Sequence, residues 1–90
     1  MDNEIFLPRN LAESFIYLDN EISNEDQEYL KEHKAIEFHH TLGRWIRNTF
    51  CLWDKDSGLK DELISKGFTH PDDMSNYIIE EYQKYLKDET

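Results

Sequence analysis

Apolar side chains recur along this chain at three- and four-residue steps, and those steps divide it into helices. Leu11, Phe15, Leu18 and Ile22 form the first stripe, with Asn10 placed to cap it and Glu13 to complete a box-like pair. Ser23, followed by Glu25 and Asp26 and then by Tyr29 and Leu30, predicts a short second helix whose acids meet its positive end. Its apolar face is thin. A central helix is expected over about 35–50, since Phe38, Leu42, Trp45, Ile46 and Thr49 share one side. Gly43 within it costs about 1 kcal/mol relative to Ala, which close approach of another helix would justify. Leu52 and Trp53 then close the core before Asp54-Lys55-Asp56-Ser57-Gly58, a polar turn.

Leu59, Leu63 and Ile64 predict a fourth helix, ended by Gly67 in the left-handed conformation with Phe68 folding back on its last turn. Thr69-His70-Pro71-Asp72 starts the last helix: Thr69 can cap, Pro71 suits a first turn, and Asp72 and Asp73 meet the positive end. Met74, Ile78, Tyr82, Tyr85 and Leu86 carry its apolar face over about 71–87. The expected fold class is therefore all-α, a compact small bundle of four to five helices in a single acidic domain over 1–90.

Five Phe, five Tyr and two Trp in 90 residues supply a small number of large core side chains, so disorder is not expected despite the charge. The single cysteine, Cys51 between Phe50 and Leu52, excludes an intrachain disulfide framework and reads as a buried thiol in a cytoplasmic protein. Neither a secretion signal nor a membrane span is expected from the apolar runs. The net charge of −10 is uneven: residues 1–37 hold ten acids against three bases, 38–53 hold only Arg44 and Arg47, and 54–90 hold ten acids against five bases. Such a field repels phosphate backbones and anionic membranes and attracts basic protein surfaces.

Chemistry has few candidates. His39 and His40 are neighbours on a helix and point about 100 degrees apart, so they cannot share an ion without distortion. His39, His70, Asp72 and Asp73 form the cluster from which a small enzyme or metal-binding protein would be built, and that is the alternative reading. Those aspartates are equally explained by helix capping, no zinc or calcium spacing occurs, and Gly43, Gly58 and Gly67 stand singly rather than in a phosphate loop. Hence no catalytic residue, metal ligand or cofactor is assigned. Arg47 is expected to pin the central helix to Asp72 or Asp73 through its planar fork, while Arg44 remains available to a partner. The partner-facing surface is assigned to Asp19, Glu21, Glu25, Asp26 and Glu28, five acids in ten residues with no base among them, together with Arg44.

The run Leu42-Gly43-Arg44-Trp45-Ile46-Arg47-Asn48, then Leu52-Trp53, then His70-Pro71-Asp72-Asp73-Met74-Ser75 with Ile78-Ile79, resembles a family of small bacterial helical domains of unknown function. The opening from Leu7-Pro8 to Leu18 is similar to its leader helix, so the resemblance extends over about residues 5–86. It implies a helical fold, and it marks Trp45, Arg47, Asn48, Trp53, Asp72, Asp73 and Ser75 as motif positions without assigning them a role. Bacterial immunity proteins share this size and charge and cover the basic active site of a co-produced toxin. The charge makes binding of a basic protein the expected function, with a toxin as one such partner by that analogy and a regulatory or adaptor partner or a larger assembly as the others.

Overall fold

The computed structural model describes residues 8–50, 52 and 58–88. Those residues form five α-helices, α1 (Leu11–Glu21), α2 (Asn24–Glu32), α3 (Leu42–Thr49), α4 (Gly58–Ser65) and α5 (Pro71–Asp88), with a 3₁₀ turn at Ala35–Phe38 and no strand among them. The fold is all-α.

Local chemistry sets most of the ends. Asn10 Oδ1 accepts the Glu13 N–H at 2.9 Å, and the Glu13 carboxylate reaches back one residue further than a capping box would, to the Arg9 N–H at 2.8 Å. The Arg9 backbone and side-chain hydrogen bonds hold the Glu13 carboxyl below the usual carboxylate range. Ser23 Oγ caps α2 by accepting the Asp26 N–H at 3.2 Å. Gly67 has φ of 103° and ends α4: its N–H goes to the Ile64 carbonyl and the Phe68 N–H to that of Leu63, the two bonds of a Schellman motif. Phe68 packs on Tyr77 of α5, with ring centroids 4.6 Å apart. At the start of α5 the expected cap moves by one residue: His70 Nδ1, and not Thr69, accepts the Asp72 N–H at 3.0 Å.

The central helix is shorter than its apolar spacing predicts. It begins at Leu42, after the 3₁₀ turn and the turn at His39–Thr41. His, Thr and Gly are all weak helix formers, so local propensity does not oppose a break there. The break also frees the His39 carbonyl, which a continuous helix would spend on the Gly43 N–H, to accept Nη2 of Arg47 at 3.1 Å.

α5 is the axis of the molecule. It packs on α3, α2, the 3₁₀ turn and α1, while α1 also meets α4. Met74, Ile78, Tyr82 and Leu86 are buried as the stripe predicts, and so are Ser75, Ile79 and Gln83 beside them. Leu18, Leu30, Ile46, Phe50, Leu52, Leu59 and Leu63 complete the core, whereas Ile64 lies exposed. Trp45, although it shares the apolar side of the central helix, is only half-buried at the edge of this core. Its ring meets Tyr17 and Phe50 at centroid distances of 6.0 and 6.1 Å. Trp53, Cys51, Asp54 and Asp56 lie outside the described residues.

Candidate functional site

Arg47 leaves α3 toward the start of α5 with its side chain 7% exposed. Nη1 donates to Ser75 Oγ at 2.9 Å, Nη2 to the His39 carbonyl at 3.1 Å, and Nε lies 3.4 Å from Asp72 Oδ1. The expected tie between the two motif blocks is present through Asp72, and Asp73 stays exposed outside it. The Asp72 side chain is 42% exposed, so the buried anchor of the guanidinium is Ser75 and the ion pair is its solvent-side contact. Ser75 Oγ in turn donates to the Asp72 carbonyl at 3.1 Å.

Gly43 faces the same group. A Cβ there would come within 3.2 Å of both Arg47 Nη1 and the Phe38 carbonyl oxygen, and 3.6 Å from Ser75 Oγ. The glycine thus admits the guanidinium and the preceding turn as well as a second helix, which the sequence suggested and which is α5 through Ser75. His39 Nε2 and His70 Nδ1 lie 4.0 and 3.8 Å from Asp72 Oδ2, which brings together three members of the alternative reading's cluster and leaves Asp73 out. Its central cation and hydroxyl are already engaged, and the described residues hold no group of three or more His, Cys, Asp or Glu arranged to take a metal ion. Its geometry is that of a latch between α3 and α5. Arg44 and Asn48, on the same helix, are exposed.

The acidic assignment divides. Asp19 is a structural acceptor: Tyr82 Oη donates to Oδ1 at 2.8 Å and Tyr85 Oη to Oδ2 at 2.7 Å, joining α1 to α5. Burial and the adjacent Asp19 carboxylate push the Tyr82 phenol far above its usual range. Glu28 pairs with Lys31 at 2.9 Å. Glu21, Glu25 and Asp26 remain exposed around the α1–α2 corner. Asp19 is therefore removed from the partner-facing set and Glu28 is partly neutralised, because a charge already bound within the fold is weakened as a contact for anything outside it.

A groove opens beside that corner, a feature that the apolar stripes did not reveal. α2 and α3 each pack on α5, and the cleft between them holds about 320 Å³, lined by Ile22, Tyr29, Leu30, Phe38, Thr41 and Leu42 with the exposed Asp26 at its edge. A second hollow of about 170 Å³ shares Ile22 and Leu42 and extends it to Trp45, with Glu21 on its edge. Tyr29 is 55% exposed, stacked on His33 at 3.9 Å between ring centroids and edge-on to Phe38 at 5.9 Å. The half-burial of Trp45 was the property that could have pointed here, but spacing on one helix does not report what stands opposite.

Gln83 was also missed. From α5 its Nε2 donates to the carbonyls of Leu30 and His33 at 2.9 and 2.7 Å, closing the C-terminal end of α2 and so fixing one wall of the groove. No helix among the described residues is long and apolar enough to cross a membrane.

No curated protein and no solved structure matches the chain. A family model matches residues 7–86, which takes in α1 to α4, α5 up to its last two residues and both motif blocks. The chain belongs to that family, described as a domain of unknown function, DUF6794.

Proposed function

We propose that the domain is a non-enzymatic, cytoplasmic protein-binding module whose α1–α2 corner receives a basic protein surface. The observation that carries this reading is the exposure of Glu21, Glu25 and Asp26 at one corner, none of them ion-paired among the described residues. A chain of net charge −10 that leaves these acids uncompensated presents a field that speeds encounter with a cation-rich surface. A basic toxin held as by an immunity protein is one partner of this chemistry, and a toxin gene beside the gene for this chain would identify that case.

The test is purification of the partner from the native host, followed by stopped-flow association from low to high salt. Association is expected to slow steeply with salt while dissociation changes less, because long-range attraction is screened over about 8 Å at physiological ionic strength. Glu21→Lys combined with Glu25→Gln and Asp26→Asn should slow association with the circular dichroism unchanged. The second and third changes are neutralisations because a cation in the first turn of α2 would oppose the helix dipole. An acidic partner, or an association rate indifferent to both salt and these substitutions, defeats the reading.

A further inference from the structure

We infer that the groove between α2 and α3 is the seat of an amphipathic, basic helix of the partner protein, which sets an apolar side chain against Ile22, Tyr29, Leu42 and Trp45. The inference rests on the acidic-surface reading and deepens it by adding a second, apolar component with its own location.

The chemistry and the shape of the groove argue for this occupant. The groove wall is apolar and aromatic apart from Thr41, and the charged side chains that line the two adjoining hollows, Glu21 and Asp26, are both acidic. A second copy of this chain, with its net charge of −10, meets that rim with the wrong sign. A helix fits better than a strand, since no strand edge exists among the described residues to extend, whereas a cleft between two helices accepts apolar anchors spaced three and four residues apart. Lys or Arg flanking such anchors would meet Glu21 and Asp26 at the rim. The walls are also tied to the core: Leu30 is 3% exposed, and Gln83 holds the end of α2. Binding therefore meets a surface that is largely ordered beforehand.

The probe is a short synthetic helix with Leu at positions i, i+3, i+4 and i+7 and Lys elsewhere, titrated into the full, isotope-labelled chain and followed by NMR. Two controls accompany it: the same peptide with every Leu replaced by Ser, which keeps the charge, and one with every Lys replaced by Glu, which keeps the apolar face. The expected result is saturable shifts at Ile22, Tyr29, Leu42 and the Trp45 indole, with the Leu-to-Ser and Lys-to-Glu peptides each weaker by at least about tenfold. Tyr29→Ala should weaken the Lys-Leu peptide by about fivefold or more, at a position exposed enough to spare the core. Shifts confined to Glu21, Glu25 and Asp26, with the Ser peptide binding equally well, would overturn the groove and leave the acidic surface standing. Equal binding of the Glu-Leu peptide in the groove would overturn the basic occupant, and failure of every basic peptide to shift any residue would overturn both readings.

Discussion

Replacing Arg47 by Met tests how α3 is fastened to α5, because it keeps a buried stem of similar length and removes the guanidinium alone. Three contacts are lost, and they differ in weight. The bond to Ser75 Oγ is buried and charge-assisted, as is much of the bond to the His39 carbonyl; hydrogen bonds to charged groups contribute about 1.5–3 kcal/mol each. The Asp72 contact is half in solvent and contributes less than about 1 kcal/mol. Against this, Met recovers apolar burial and the guanidinium no longer has to be desolvated, and Ser75 keeps its own acceptor in the Asp72 carbonyl. The net loss is expected at about 2–4 kcal/mol, a large fraction of the roughly 5–15 kcal/mol that holds a small domain folded. Urea unfolding of wild type, Arg47→Met, Ser75→Ala, Asp72→Asn and the two double variants measures it. The Arg47–Ser75 coupling should exceed the Arg47–Asp72 coupling. An Arg47→Met loss under about 1 kcal/mol, or a larger coupling to Asp72 than to Ser75, would refute the reasoning, because the buried hydroxyl would then not be the anchor.

Two further substitutions report on neighbouring features. Gly43→Ala gains about 1 kcal/mol of helix propensity. It should nonetheless lower the urea midpoint, since the new Cβ meets a pinned guanidinium and a backbone oxygen at 3.2 Å; a raised midpoint would show that Arg47 moves freely. Tyr82 should make the fold sensitive to alkali. Its folded pKa is raised, so it favours the native state fully below the unfolded value of about 10 and loses that contribution as the pH climbs above it. Urea midpoints at pH 9 and pH 11 should therefore fall more in wild type than in Tyr82→Phe, and equal falls would reject the assignment.

The helices themselves could be read from the chain because an amphipathic helix writes its period of 3.6 into the order of residues. The apolar stripes of α1 and α5, the caps Asn10 and Ser23 and the terminator Gly67 depend on partners only a few positions away. The Arg47 link to the start of α5 was also legible, since Arg and Asp are complementary and the two blocks are distinctive. What spacing could not show was which contact is buried: Ser75 is a small hydroxyl, and its burial follows from the packing of α3 on α5.

Tertiary structure decided the rest. Asp19 and Gln83 belong to residue types that usually face water, and their roles come from partners 50 to 66 positions away. One became an acceptor for two tyrosines and the other closed a helix end. The break at His39–Thr41 divided an apolar pattern that reads as one helix, because the fold uses the released carbonyl for Arg47. The groove has no counterpart in any single stripe. It exists because α2 and α3 both lean on α5 and leave Ile22, Tyr29, Leu42 and Trp45 facing a common space, and the distance between two helices is set by their packing rather than by the sequence of either.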